Sequence, residues 1–397
     1  MSSPDGDLGV PRLTAAEVAW GWPYGVDPSV PRRPRGPQPA ARAVFERIIR
    51  DALASGTCAV AFSGGRDSSA VLAVAVEVAR REGLALPAVV TFDYPGDGAS
   101  DERGWQELVI RHLAVDDWTR IDATEGTDLL GPTAARALLA AGRPIFPSGA
   151  TLWPWRVEQV PADVWLTGEL GDNVMGVQRT TALTHLIRRR GRVPAAYWRA
   201  AAAAVAPAPL WARYAARTDE ELPWLRPDVA ELRRAQVHDE ALAEPRWWDD
   251  GVWHVGRMRA ITLGTRAAHG LVASAGAAVV EPFGDPDFRA AWAKEGGRLG
   301  FSGRTAAMRH LFADVLPDAL LDRATKATFN ASVVGPATTA FIDGWTGDGV
   351  DPVLVDPDRL RENWRTGSPH ALSFPLMQQA FLAQSAARNA PSAERGS

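Results

Sequence analysis

Several features that mark other classes of protein are scarce in this sequence of 397 residues. A single cysteine, Cys58, excludes an internal disulfide bond and any cysteine-based zinc site. The longest apolar stretch, residues 200–205, is too short and too rich in alanine to cross a bilayer. Residues 1–20 lack the basic start and continuous apolar core of a signal peptide. The sequence therefore predicts a cytoplasmic protein.

Neither sign of charge dominates the chain. The 43 lysine and arginine residues and the 47 aspartate and glutamate residues give a formal net charge of −4, which provides no electrostatic footprint for nucleic acid. Hydrophobic residues make up 46% and charged residues 23%, as in ordinary soluble globular proteins. The length suffices for two domains that each bury a core, and we expect neither nucleic acid nor a membrane among the partners.

The common phosphate loop GxxxxGK[ST] is absent, but a different glycine-rich turn lies in the amino-terminal half. The small apolar residues 59–62 predict a short buried strand, and Cys58 at its start is predicted to be a core residue. The sequence SGGRDSS follows over residues 63–69, and an apolar run to residue 79 predicts a helix. This succession of strand, turn and helix is typical of a nucleotide-binding loop.

The side chains of this turn suit a phosphate group. Gly64 and Gly65 allow the backbone to approach a ligand closely. Ser68 and Ser69 are predicted to cap the following helix, whose first amides lack backbone partners and can bind an anion. Asp67 can hold the magnesium ion that accompanies a nucleotide. The alternative is a glycine-rich turn that binds nothing.

Further strands and helices alternate along the first 180 residues. Strands are predicted at residues 88–92, 118–121 and 164–167, with helices over 40–54, 101–112 and 129–141. This alternation predicts an α/β fold with a doubly wound parallel sheet. Ligands bind such sheets beyond the carboxyl ends of the strands, so Phe92, at the end of one strand, is predicted to lie at the ligand site.

A second glycine-rich loop, TGELGDNVMG over residues 167–176, follows the strand at 164–167. Glu169 and Asp172, three residues apart, can share one cation or divide the roles of metal ligand and proton carrier. The alternative is a turn rich in Asp and Asn without a ligand. Because both loops follow strands of one parallel sheet, we expect them to face the same crevice.

The rest of the chain has a different character. Residues 1–37, rich in proline and glycine, are predicted to form an extended arm that its aromatic residues anchor, and residues 38–180 to form the α/β core. Residues 181–386 are predicted to be a largely α-helical, substrate-binding portion, and residues 387–397 a disordered tail.

The motifs resemble a known family. Ser-Gly-Gly-x-Asp-Ser resembles the loop of the ATP pyrophosphatase superfamily, and residues 168–173 resemble the motif Gly-Glu-Gly-Gly-Asp-Glu, with Leu170 and Asn173 as departures. EPFGD at residues 281–285 resembles Pro-Phe-Leu-Asp, and residues 316–329 resemble Leu-Pro…Arg-x-Lys-x-x-Phe with one residue more between arginine and lysine. In this order the motifs resemble the synthetase domain of asparagine synthetase, β-lactam synthetase and the lasso peptide cyclases.

The resemblance implies an ATP site of the ATP pyrophosphatase type that also binds Mg²⁺. The residues it implies for ATP are Ser63, Gly64, Gly65, Asp67, Ser68, Phe92 and Gly168, with Asp67 and Asp172 as metal ligands. It also implies that Glu169 lies near the acceptor and the acyl-adenylate, and that Lys326, one of few lysines in the chain, stabilises charge during amide formation.

Three departures change what the resemblance implies. Ser2 follows Met1, where the glutaminase domain of asparagine synthetase has its nucleophilic cysteine, so we do not expect glutamine hydrolysis. Val177 stands where the family has a tyrosine, which weakens the comparison with a cyclase. Arg304, Thr305 and Arg309 replace a lysine and arginine pattern, so we expect rearranged pyrophosphate contacts.

The sequence therefore predicts a ligase that adenylates a carboxylate with ATP, releases pyrophosphate and transfers the acyl group to ammonia or an amine. The carboxylate is a small molecule or a peptide, and a separate glutaminase or a precursor peptide is a candidate partner. Two alternatives stay open: a peptide macrocyclase of natural-product biosynthesis, and a non-catalytic nucleotide-binding protein.

Overall fold

A computed structural model describes residues 8–93, 102–124, 126–188, 194–323 and 333–389. Lys326 lies outside these ranges, so its predicted role stays a prediction.

Five strands form one sheet in which every neighbouring pair is parallel. The strands are β1 (Cys58–Ala61), β2 (Ala88–Asp93), β3 (Trp118–Asp122), β4 (Val164–Leu166) and β5 (Ala278–Val280). Their order across the sheet is β3-β2-β1-β4-β5. The predicted α/β class with a parallel sheet is confirmed. Strand β5 was not predicted, and it lies in the portion expected to be helical.

Helices account for most of the remaining described chain. They are α1 (Ala15–Trp20), α2 (Ala41–Ala54), α3 (Arg66–Glu82), α4 (Arg103–Leu113), α5 (Pro132–Ala141), α6 (Trp153–Gln159), α7 (Gly171–Val174), α8 (Thr181–Arg188), α9 (Ala195–Val205), α10 (Ala208–Thr218), α11 (Pro227–Ala243), α12 (Trp248–Val255), α13 (Arg259–Ser274), α14 (Pro286–Gly296), α15 (Arg304–Phe312), α16 (Asp318–Leu321), α17 (Pro336–Gly344), α18 (Pro357–Trp364) and α19 (Phe374–Asn389). Short 3₁₀ helices occupy Ser148–Leu152 and Ala371–Ser373.

The sheet separates two hydrophobic cores. Successive residues of a strand point to opposite faces, so Val60 and Leu166 pack into one core while Ala59 and Trp165 pack into the other. The first core includes side chains of α2, α3, α14 and α15, and the second includes side chains of α5, α13 and α19. Helices therefore cover both faces, as a doubly wound sheet requires. Cys58 belongs to the first core, and burial raises the pKa of its thiol to about 12.

The amino-terminal arm is not wholly extended as predicted. It contains α1, where the Thr14 hydroxyl accepts a hydrogen bond from the Glu17 amide while the Glu17 carboxylate accepts one from the Thr14 amide. Trp20 is buried in the second core, and the indole of Trp224 donates a hydrogen bond to the carbonyl of Ala19 at 2.9 Å. The arm is therefore a packed part of this chain.

The carboxyl-terminal portion is largely α-helical, as predicted. Its last helix, α19, extends to Asn389, three residues into the segment that was predicted to be disordered, while residues 390–397 lie outside the described ranges. None of the helices within the described ranges combines the length and the apolarity that crossing a bilayer requires.

Candidate functional site

The first loop joins β1 to α3. Gly64 has φ of +86°, and a Cβ atom there would lie 2.7 Å from Cγ of Gln106. The Gln106 amide also donates a hydrogen bond to the carbonyl of Ser63 at 3.1 Å. Only glycine combines this left-handed backbone with so close a neighbour. The loop is thus held against α4 by contacts that a side chain at residue 64 would break.

The serines of this loop act differently from the prediction. Helix α3 begins one turn earlier than expected, with Gly65 at its N-cap and no side-chain cap, so the predicted capping by Ser68 and Ser69 is wrong. Instead, the Ser68 hydroxyl donates to the carbonyl of Gly65 at 3.1 Å and accepts from the amide of Ser63 at 3.2 Å. Ser69 is fully buried. Ser68 therefore holds the loop closed.

The second loop leaves β4 and packs on the start of α3. A Cβ atom at Gly168 would lie 2.5 Å from the backbone nitrogen of Ser68, and one at Gly171 would collide with the carboxyl group of Asp67. Leu170, between the two glycines, has φ of +64°, a left-handed conformation that side chains other than those of Asn and Asp rarely adopt. The close packing of backbone on backbone brings the two loops together.

One arginine joins the two loops. Arg304, the first residue of α15, places Nη2 at 2.5 Å from Oδ2 of Asp67, and its Nη1 pairs with Asp172. The guanidinium fork thus contacts one carboxylate from each loop. Arg66 lies nearby and donates to the hydroxyl of Thr305 at 3.2 Å; burial and, second, the charge of Arg304 lower its pKa.

A buried ion pair contacts the backbone of the first loop and stabilises it. Arg323 pairs through both terminal nitrogens with Glu102, and both side chains are almost fully buried. The Arg323 guanidinium lies 5.0 Å from the ring centre of Trp105, and it donates to the carbonyl of Gly64 at 3.4 Å. Removing one member of such a pair would leave a buried charge, which is costly.

These elements border a cleft of about 460 Å³ at the carboxyl ends of the strands, a volume within the range of small-molecule sites. Its lining residues are Ala61, Phe62, Ser63, Gly65, Arg66, Asp67, Ser68, Phe92, Glu102, Gly149, Leu152, Trp153, Arg156, Thr167, Gly168, Glu169, Asp172, Arg304, Arg323 and Val333. The structure thus brings together nearly all the residues that the sequence assigned to one site. Gly64 lies in the same loop without lining the cleft, and Lys326 lies outside the described residues.

The sequence reasoning missed one wall of the cleft. The guanidinium of Arg156 lies 5.4 Å from the ring centre of Phe92 and 5.1 Å from that of Trp153. Trp153 and Arg156 belong to α6, which precedes β4, so the rule that ligands meet the ends of strands did not find them. The aromatic and basic run WPWR over residues 153–156 was the available signal.

The two arginines of α15 that depart from the family pattern, Arg304 and Arg309, lie in different environments. Arg304 enters the cleft, whereas Arg309 faces outward and pairs with Asp318 at 2.6 Å and Asp322 at 2.8 Å. The expected rearrangement therefore leaves Arg304, and not Arg309, as the cation of this helix that lines the cleft.

The residues present fit Mg²⁺ that binds together with a phosphate chain. Within the part of the chain that the structure describes, no group of three or more His, Cys, Asp or Glu side chains can hold a metal ion. Asp67 and Asp172, however, contact the same guanidinium, so one cation can reach both carboxylates. Mg²⁺ is commonly held by one or two carboxylates together with substrate phosphates.

Comparisons with known proteins agree with this geometry. No individual curated protein matches the chain. The family model of asparagine synthase matches residues 40–384, a range that includes both loops, the sheet and all the residues that line the cleft. Members of this family are ATP-dependent ligases. This match covers most of the 397 residues. The chain belongs to the asparagine synthase family.

Proposed function

We propose that the chain is an AMP-forming amide ligase: it adenylates a carboxylate, releases pyrophosphate and passes the acyl group to ammonia or an amine. The observation that carries the proposal is the meeting of the two loops at Arg304, on the rim of a cleft of about 460 Å³. Glycines, helix amides and guanidinium groups converge there, as binding of a triphosphate requires.

Each group of residues has a task in this proposal. The backbone of residues 63–68 and the guanidinium groups of Arg66 and Arg304 would hold the phosphates of ATP. Mg²⁺ bound by Asp67 and Asp172 would neutralise phosphate charge in the adenylation step. The wall of aromatic rings beside Arg156 offers flat faces for the base.

The chemistry consists of two displacements. A carboxylate oxygen of the substrate attacks the α-phosphorus of ATP, and the bond to pyrophosphate breaks. The nitrogen nucleophile then attacks the carbonyl carbon, loses a proton and displaces AMP. Glu169, exposed on the rim of the cleft, would position the nucleophile or accept that proton. Splitting the condensation in this way replaces one difficult step by two easier ones.

The left-handed backbone at Leu170 supports a task for the second loop, in binding or in catalysis. The second loop departs from the family motif in its side chains, yet Leu170 adopts the left-handed conformation that a glycine would take at no cost. Maintaining this conformation with leucine costs free energy, which a loop without a task would not need to spend.

Lys326 supplies the sharpest test, because the chain has only two lysines and the other, Lys294, is exposed on α14 and does not line the cleft. We expect Lys326→Met to slow amide formation by roughly a hundred- to a thousand-fold, the loss typical of one preorganised donor. ATP affinity should change little, because the charge it meets develops only in the transition state. Lys294→Met should leave the rate unchanged.

Two quantities are measured for each variant. Calorimetry gives the ATP affinity, and a second assay gives the ATP-dependent release of pyrophosphate and AMP with a panel of carboxylates and amines. A large loss of affinity in Lys326→Met with normal turnover of the bound complex would reassign the residue to nucleotide binding. Nucleotide binding by the unmodified chain without pyrophosphate release from any carboxylate would favour the non-catalytic alternative. Cyclisation of a peptide without an added amine would favour the macrocyclase.

A further inference from the structure

One stretch of the chain carries basic side chains without acidic ones. Residues 173–218 contain eight arginines and neither aspartate nor glutamate, although acidic residues outnumber basic ones over the whole sequence. The stretch runs from α7 through α8, α9 and α10. It therefore forms a local region of positive charge on a chain whose net charge is negative.

The same stretch exposes apolar and aromatic side chains. Of the twelve large hydrophobic side chains that are exposed among the described residues, seven lie within this stretch, between residues 177 and 214. Trp198 on α9 is 62% exposed, and Leu210 and Tyr214 on α10 are each 55% exposed. Single exposed hydrophobic residues are common, but a concentration of them marks an interaction site.

The charged and apolar side chains of α10 share one face. Leu210, Arg213, Tyr214 and Arg217 have the spacing i, i+3, i+4 and i+7, which places them in one stripe along the helix, and all four are exposed. We call the exposed faces of α9 and α10, with Trp198, the basic helical surface.

The arginines of this surface are available to a partner. Arg199, Arg213 and Arg217 form no ion pair with any residue in the described ranges. Other exposed helices of the chain carry arginines that are paired within the fold: Arg42, for example, pairs with Glu46 at 2.7 Å and with Asp314 at 3.2 Å. The positive charge of α9 and α10 is therefore not neutralised by the described part of the chain.

We propose that the basic helical surface docks an acidic polypeptide segment that also carries apolar side chains. Carboxylates of the segment would pair with the arginines, and its apolar side chains would cover Trp198, Leu210 and Tyr214. Trp, Tyr and Arg are the residues most enriched where proteins bind proteins. A membrane surface fits less well, because a helix lying in a bilayer separates its apolar face from its charged face, whereas α10 mixes them.

Contacts lead from this surface to the cleft. Tyr197 of α9 stacks on His185 of α8 at 4.5 Å between ring centres, and His185 Nδ1 lies 3.3 Å from the carbonyl oxygen of Ser302. Thr184 donates a hydrogen bond to the carbonyl of Leu299. Both carbonyls lie just before Arg304, which lines the cleft. The next step rests on the ligase function proposed above. In such a ligase, a docked segment would present its own carboxylate or amine to that cleft.

The test measures binding without ATP, so its result is independent of catalysis. The probe is a fluorescein-labelled helical peptide of repeated Glu and Leu residues, compared with the same peptide carrying Gln for every Glu, by fluorescence anisotropy. We expect the acidic peptide to bind at least about tenfold more tightly than the neutral one, and salt to weaken the difference. Equal binding of both peptides, or none, would overturn the proposal.

Paired variants locate the binding. Arg213→Glu with Arg217→Glu, and separately Trp198→Ala with Tyr214→Ala, should each reduce the affinity about tenfold or more. Arg111→Glu, at a 70% exposed arginine of α4, should leave it unchanged. Retained binding in both double variants would place the peptide elsewhere and refute the proposal. So would tighter binding of the unmodified chain to phosphatidylserine vesicles or to oligouridylate than to the acidic peptide.

Discussion

The two glycine-rich loops of the cleft reach similar geometry with different residues. The first loop places glycine at its left-handed position, Gly64 with φ of +86°, while the second places leucine there, Leu170 with φ of +64°. Each loop presents one aspartate to Arg304, yet Asp67 is 14% exposed and Asp172 39%. The comparison indicates that the backbone path and the carboxylate define this site, and that the intervening side chain can vary.

Replacing the two aspartates should have the largest effect and would test whether the loops contribute equally. We expect Asp67→Asn and Asp172→Asn each to lower magnesium-dependent pyrophosphate release by about a hundred-fold or more, since each removes a charge that would hold Mg²⁺ in the proposed function. The melting temperature should stay close to that of the unmodified chain.

Asp318→Asn, at an aspartate that is 81% exposed and does not line the cleft, is the matched control. Full activity in either Asp67→Asn or Asp172→Asn would remove that loop from the metal site.

The packing between the loops is tested at Gly168. A Cβ atom there would meet the backbone nitrogen of Ser68 at 2.5 Å, and two backbones cannot separate as a flexible side chain would. We expect Gly168→Ala to lower the free energy of unfolding by about 1–3 kcal/mol and to reduce ATP binding. Gly149→Ala is the control, because that glycine also lines the cleft but has open space where its Cβ would lie. Equal stability of the two variants in urea unfolding would contradict the close packing.

A smaller effect is expected when the cation between the loops is removed. Arg304→Gln leaves Asp67 and Asp172 facing each other, and we expect the free energy of unfolding without Mg²⁺ to fall by about 1–2 kcal/mol. Added Mg²⁺ should then raise the melting temperature of the variant more than that of the unmodified chain, because the ion takes the place of the guanidinium. An identical response of both proteins to Mg²⁺ would argue against a shared cation site.

The smallest effect concerns the left-handed leucine. Leu170→Gly and Leu170→Ala lose the same contacts beyond Cβ, but only glycine adopts the left-handed backbone freely. We expect the glycine variant to be more stable than the alanine variant by about 1 kcal/mol. The free energies of unfolding in urea give the comparison, and an alanine variant of equal or greater stability would show that this backbone is not strained.

Most of the fold followed from local patterns. Four strands, the helix after the first loop and the helices over residues 40–54, 101–112 and 129–141 were predicted because each has its own apolar run, whereas α6, between β3 and β4, was missed. Strand β5 was missed because three residues, Ala278 to Val280, carry no periodicity of their own and become a strand only by pairing with β4. Helix α1 was missed although Thr14 and Glu17 form a capping box that the sequence displays.

The residues of the candidate site also fall into two groups, those that the sequence assigned and those that only the structure revealed. Residues that follow a strand, such as Ser63 and Glu169, were assigned from sequence because a parallel sheet brings strand ends together. The contribution of Arg304 and Arg156 depends on tertiary contacts between distant segments, so the sequence offered only indirect signals, the altered family pattern for Arg304 and the run WPWR for Arg156.

The position of β5 has a consequence for the chain while it is being synthesised. Strand β4 can pair with β1 as soon as both exist, but its other edge, next to the fully buried Trp165, has no partner until residues 167–277 have been added. At roughly 5–20 residues per second, that interval lasts on the order of ten seconds. Throughout it the nascent sheet presents an open apolar edge, the kind of surface on which strands of other chains add. Arg304 and Arg323 emerge later still, so the cleft is assembled only after this exposed period has ended.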